Sequence, residues 1–211
     1  MANFTELIEE VSSQDDLFDC YTFRYTVYSS SRLGAWIKNE SNCNLDMDIY
    51  DLFSNHFVLR GSNHQIISYM RIVNQEKQAH HSITENLALS YNYCLKGIPQ
   101  KLPVMEYYPD AEKYIINESQ SHLDSDYKIC EPSRLSIKAE LRNLSFTKEF
   151  INSIFRKNEY NYNRAYLACV ESHAKFYLSM GFRSVFEKCT QIHSLLPPIR
   201  LLKLDIENTS L

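Results

Sequence analysis

Ile129-Cys130-Glu131-Pro132-Ser133-Arg134-Leu135-Ser136-Ile137 reads as a core strand that carries a Glu and an Arg three residues apart. A segment that otherwise looks buried holds charges only where they are paired or used. On an unbroken strand Glu131 and Arg134 point to opposite faces. A bulge at Pro132 would re-aim them. Three earlier pieces supply charges of the kind that would meet this strand. They are Arg24 in a helical stretch, the acidic run Asp46-Met47-Asp48-Ile49-Tyr50-Asp51, and Arg71 in a strand. The expectation is that these charges converge at one site.

Working outward, Ser13-Gln14-Asp15-Asp16 is a helix start with a capping hydroxyl and early acids. Leu17, Phe18, Tyr21, Tyr25 and Tyr28 follow at helical spacing, with Arg24 beside that stripe. His56–His64 reads as a strand and a turn, and Gln65–Val73 returns as the second strand of a hairpin. Alternation puts Tyr69 and Arg71 on one face of that strand. Residues 82–103 form an ambiguous connection. A short strand is expected over Val104–Tyr108, then a helix entered at Pro109-Asp110 and running to about Ser119. The central strand spans about Tyr127–Ile137, and Phe146–Phe155 is helical. Tyr166–Val170 is a buried strand, and Glu171–Met180 is a helix stopped by Gly181. Phe182–Lys188 and Leu201–Ile206 close the sheet, with Pro197-Pro198 between them. The fold class is therefore α/β, a mixed sheet with helices on both faces and one domain over residues 1–211.

Composition removes several function classes. A formal charge of -4, with no basic run, gives nucleic acid nothing to bind. Four glycines leave no P-loop and no dinucleotide fingerprint. No apolar stretch approaches the roughly 20 residues of a membrane span, and the start shows no secretory signal. The expected location is the cytoplasm, with contact at a lipid surface left open. The six cysteines form no C-x-x-C pair and are expected to be reduced, mostly buried thiols. His80-His81 lacks a third ligand, and the acidic run lacks the glycine and final Glu of a calcium loop, so no metal site is expected. The one tryptophan, Trp36, stands in a polar stretch as either a core plug or a ligand platform.

The helix Ala174–Met180 leading into Gly181-Phe182 resembles the GNAT acyltransferase superfamily. Three further pieces are narrower. Arg24-Tyr25-Thr26-Val27-Tyr28, Asp48-Ile49-Tyr50-Asp51 and Glu131-Pro132-Ser133-Arg134-Leu135 resemble the signatures of the acyl-homoserine-lactone synthases and the N-acyl amino acid synthases. Arg71 falls at the family's strand arginine, and Trp36 near a tryptophan of the lactone synthases. Ser54-Asn55-His56 and Leu195-Leu196-Pro197-Pro198 lean toward the N-acyl amino acid synthases and the acyltransferases associated with exosortase systems.

This resemblance implies a GNAT-like, mostly antiparallel sheet. It implies transfer of a medium or long acyl chain from an acyl carrier protein, or from acyl-CoA, to the amine of an amino acid or similar small acceptor. The alternatives are a lactone-signal synthase using S-adenosylmethionine and a non-catalytic module that binds acyl chains or a carrier protein. The implied donor is an acyl-phosphopantetheine thioester, and no tightly bound cofactor is expected. Lys138-Ala139-Glu140-Leu141-Arg142 stands where ordinary GNAT enzymes have a glycine-rich pyrophosphate loop. Lys138 and Arg142 are the candidates to meet a pantetheine phosphate. Glu131 is the expected general base. Arg24, Trp36, Asp46, Asp48, Asp51, Arg71 and Arg134 are the expected acceptor side, where an arginine grips a carboxylate by two points.

Overall fold

The computed structural model describes residues 4–31, 34, 37, 43–74, 81–93, 95, 101–108, 110–121, 127–157, 160–190 and 197–206. The chain forms two compact units, Met1–Pro99 with Ser133–Lys157, and Gln100–Pro132 with Asn158–Leu211.

The first unit opens with a short helix α1 (Phe4–Leu7), strand β1 (Ile8–Val11) and helix α2 (Gln14–Ser29). Ser13 caps α2, its Oγ accepting from the Asp16 backbone at 3.2 Å. The buried residues of α2 are Leu17, Cys20, Tyr21 and Arg24, spaced 3, 1 and 3 apart as one helical stripe demands. Arg24 thus lies within the buried stripe, not beside it. Strands β2 (Ser54–Arg60) and β3 (Ile66–Val73) make the expected antiparallel hairpin. Its turn is closed by Gly61 N–H to Gln65 O at 2.9 Å, and His64 takes a left-handed φ of 60°. β1 adds to β2 antiparallel, pairing Ile8 with Leu59 and Val11 with His56. Helix α3 (His81–Ser90) fills part of the stretch read as a connection. His81 opens α3, and His80 lies outside the described residues. The apolar core joins Leu17 and Tyr21 of α2, Val58 and Tyr69 of the hairpin and Leu87 of α3.

The second unit holds helices α4 (Pro103–Tyr107) and α5 (Ala111–Ser121). The central strand β4 (Ile129–Ile137) gives Ile129–Pro132 to this unit and Ser133–Ile137 to the first. Helix α6 (Leu144–Lys157), in the first unit, starts behind Asn143, whose Oδ1 accepts from the Phe146 backbone at 2.9 Å. In the second unit follow β5 (Arg164–Val170), α7 (Glu171–Leu178), β6 (Arg183–Ser184) and β7 (Ile199–Asp205). β4 pairs parallel with β5, while β7 runs antiparallel to both β5 and β6. Hydrogen-bonded order is β1-β2-β3-β4 and then β4-β5-β7-β6. The sheet is mixed and mostly antiparallel. Gly181, at φ 93°, lets the chain leave α7 and turn toward β6.

The structure corrects two expectations and adds an element. Val104–Tyr108 is not a strand: Pro103 to Tyr107 is one short helix, because proline at its first position fixes a helical φ and its missing N–H costs nothing there. Phe182–Lys188 yields only the two-residue β6. β1 had no counterpart in the sequence reading. The second helix, α5, begins at Ala111 and reaches Ser121, and Pro109 lies outside the described residues. Five free cysteines are described, Cys20, Cys130 and Cys169 among them buried. Burial pushes the Cys169 thiol up to about 12. Among the described residues no helix is long and apolar enough to cross a membrane.

Candidate active site

The acidic run folds as a tight helical turn, and its spacing explains the rest of the site. Asp48 caps the turn Ile49–Phe53, its Oδ1 accepting from the Tyr50 backbone at 3.0 Å. Three residues on, Asp51 reaches back, its Oδ2 accepting from the Asp48 backbone at 2.8 Å. The two acids of Asp-x-Tyr-Asp make this reciprocal capping box. It leaves one oxygen of Asp51, and both oxygens of Asp48, aimed at arginines.

Three guanidiniums meet these carboxylates. Asp51 Oδ1 accepts from Arg24 Nη1 at 2.6 Å and from Arg71 Nη1 at 2.7 Å. Arg71 is bidentate on Asp48, Nη1 to Oδ1 at 2.6 Å and Nη2 to Oδ2 at 3.1 Å. Arg134 Nη2 donates to the same Asp48 Oδ2 at 3.0 Å. Arg24 Nε donates to Asp46 Oδ2 at 3.1 Å, and Asp46 Oδ1 lies 3.7 Å from Arg134 Nη2. Arg71 Nε donates to Ser133 Oγ at 3.0 Å. The expected residues Arg24, Asp46, Asp48, Asp51, Arg71 and Arg134 therefore form one cluster of three positive and three negative charges. The Arg24 and Asp51 side chains are 0 % exposed, whereas Arg134 and Asp48 keep 14 % and 12 %. The cluster has a buried heart and one open edge.

Electrostatics follow from this geometry. Burial would raise the pKa of both Asp48 and Asp51. Arg71 and Arg134 outweigh it at Asp48, and Arg24 and Arg71 outweigh it at Asp51, so both carboxyls sit below the usual range. Burial would lower Arg24 and Arg71, but their carboxylate partners raise them. Arg134 is raised likewise by Asp46 and Asp48, against its burial. Arg24 Nη2 and Asp46 Oδ1 are buried without a hydrogen-bond partner.

A polar chain backs the cluster. Arg24 Nη1 also donates to Tyr69 Oη at 3.3 Å, and Tyr69 Oη is hydrogen-bonded to His56 Nδ1 at 2.8 Å. His56 Nε2–H then donates to the Asp51 carbonyl at 3.4 Å. Tyr21 Oη and Thr84 Oγ1 are 3.1 Å apart. The rings of Tyr21, Tyr69, Tyr50 and Tyr28 lie under the three guanidiniums, at 5.5 to 6.0 Å from ring centre to Cζ. Sequence reasoning gave no role to His56, Thr84 or Ser133. Tyr69 was signalled by alternation with Arg71; the structure sets His56 opposite Arg71 across the hairpin.

Arg134 takes a left-handed φ of 55°, so the break in β4 falls two residues beyond the Pro132 bulge considered from sequence. Glu131 is buried, and its Oε2 accepts from the Val104 backbone of α4 at 2.7 Å. Lys138 is half-buried, and its N–H donates to Ile67 O at 3.0 Å. Arg142 is exposed, with its Nε donating to Ile137 O at 2.8 Å. Trp36 lies outside the described residues.

Comparison with known proteins places the chain in a family. The model of the N-acyl amino acid synthase FeeM family matches residues 19–205. No curated protein sequence matches the chain. Among solved structures it resembles FeeM, an N-acyl amino acid synthase from uncultured soil microbes, at 11 % identity and TM-score 0.60, covering 95 % of each chain. It resembles the acyl-homoserine-lactone synthase LasI at 14 % identity and TM-score 0.58, covering 94 % of this chain and 88 % of that one. The CoA-dependent acyl-homoserine lactone synthase BjaI, solved with SAM and isopentyl-CoA, follows at 11 % and 0.61, covering 96 % and 84 %. At these identities the likenesses speak for a GNAT-like fold, and the family match for the activity. This chain belongs to the N-acyl amino acid synthase FeeM family and is an N-acyltransferase.

Proposed function

We propose that the chain moves a medium or long acyl chain from a phosphopantetheine thioester to the amine of a free amino acid. The acceptor's ammonium group first gives one proton to solvent; the free amine nitrogen then attacks the thioester carbonyl, the carbon–sulfur bond breaks, and the released sulfur takes up the second proton that the nitrogen loses. The products are an N-acyl amino acid and a free pantetheine thiol. The observation that carries this reading is the open edge of a charge-balanced cluster, Arg134 beside Asp48. A site whose six charges cancel favours an acceptor that is itself a zwitterion. Arg134 takes its carboxylate, and the negative charge of Asp48 beside it favours the amino group. Arg24, Asp46, Asp51 and Arg71 hold that edge in place from behind. The N–H groups flanking the left-handed Arg134 steady the tetrahedral oxyanion.

On the donor side, Lys138 and Arg142 take the pantetheine phosphate. The absence of a glycine-rich loop in this stretch favours an acyl carrier protein over CoA, because the carrier presents less phosphate to hold. An acyl carrier protein as donor fits a reaction in the cytoplasm.

The test offers the purified chain an acyl-carrier thioester with either an amino acid or the same amine lacking its carboxylate. The reading expects acylation of the amino acid to exceed that of the bare amine by about tenfold or more, with Arg134→Ala closing most of the gap through KM. Equal use of both acceptors contradicts it. Release of methylthioadenosine from S-adenosylmethionine would instead mark a lactone synthase.

A further inference from the structure

We infer that Glu131 is a positioning residue that fixes β4 against α4, and is not the general base. The inference rests on the acyl-transfer reading above.

The need for such a residue is written into α4. Pro103 at its first position has no N–H. Leu102 at the cap has no side-chain oxygen to offer, and makes no capping bond. The first amide that must find an acceptor is that of Val104, which is wholly buried. A buried N–H without a partner is among the least tolerated features of a folded chain. Met105 N–H solves the same problem locally, donating to Leu102 O at 2.9 Å. Val104 N–H donates instead to Glu131 Oε2 at 2.7 Å, a short, charge-assisted bond across 27 residues of sequence.

From the side of β4 the bond is equally committed. Glu131 sits between buried Cys130 and buried Pro132, and is itself only 5 % exposed. A general base has to bring a lone pair to the amine's proton. The Oε2 of Glu131 brings it to a backbone amide. The bond locks the rotation of β4 in the half that pairs with β5 through Ile129 and Cys130. The strand then runs directly on to Ser133 and Arg134.

Glu131→Gln separates the two roles, since glutamine keeps an acceptor oxygen of the same reach but has no basicity. A positioning role expects Glu131→Gln to keep about a third or more of kcat with an unchanged pH profile, while Glu131→Ala loses about tenfold or more. A base role expects the Gln variant to lose about 10²–10⁴-fold and to lose the acidic limb of the profile. The second readout needs no turnover: hydrogen exchange at the Val104 amide. Protection should survive in Glu131→Gln and fall in Glu131→Ala. If the wild type transfers no acyl group, the proposed function fails while this exchange comparison still decides the tie. If Glu131→Ala does not fold, the Gln variant alone decides. Collapse of kcat in Glu131→Gln with Val104 still protected overturns the inference, as does full Val104 protection in Glu131→Ala.

Discussion

At the residue scale, Asp51 is the keystone. One of its oxygens neutralises Arg24 and Arg71 together, and the other closes the capping box on Asp48. Asp51→Asn keeps the shape and removes the charge, leaving two buried guanidiniums short of a counter-ion. Breaking a buried pair by removing one partner costs about 3–5 kcal/mol, and urea unfolding of Asp51→Asn should show a loss of that size. The pH dependence carries a definite sign. Asp51 is depressed in the folded chain, so its contribution is full above the ordinary carboxylate pKa of about 3.9 and fades as pH falls toward the depressed value. Wild-type stability should therefore fall by up to about 1.4 kcal/mol per pH unit for this one group below about pH 4, and Asp51→Asn should lose that slope. An identical acid limb in both proteins would contradict the assignment. The six charges of the cluster could be read from sequence because charge is conspicuous among apolar neighbours. Thr84 and Ser133 could not, since a single hydroxyl in a segment of uncertain structure carries no pattern.

At the scale of elements, legibility follows length and periodicity. Helix α2 was plain from Ser13 onward, with its hydroxyl cap and three-four spacing. Ser13→Ala should cost about 1 kcal/mol in thermal or urea unfolding, the usual worth of a helix N-cap. Loss of less than a few tenths would mean that Asp15 and Asp16 carry the helix start alone. The β2–β3 hairpin was equally plain from its two apolar runs and the intervening Gly61 turn. β1 escaped because it is four residues long with Glu9-Glu10 at its centre, too short to display alternation. α4 was misread because five residues cannot show a 3.6-residue period, while Val104 and its neighbouring tyrosines favour strands. α3 was passed over because its first turn holds no acidic residue to mark the start. The left-handed break at Arg134 had no sequence signal, as arginine has no preference for positive φ.

At the scale of the whole molecule, the fold and the site are linked through β4. Its first half pairs with β5 and holds α4 through Glu131, and its second half delivers Ser133 and Arg134 to the charge cluster. The helix running into Gly181-Phe182 and the three charged motifs carried the expectation of a GNAT-like acyltransferase, and the family match agrees with it. The central claim is that this cluster serves transfer of an acyl group to an amino acid. Mass spectrometry of lipid extracts from a bacterium expressing the chain, beside an Arg134→Ala control, tests it most directly. The account predicts new N-acyl amino acids in the wild-type extract, diminished about tenfold or more in the control. An acyl lactone in their place, or equal amounts of product in both strains, would contradict it.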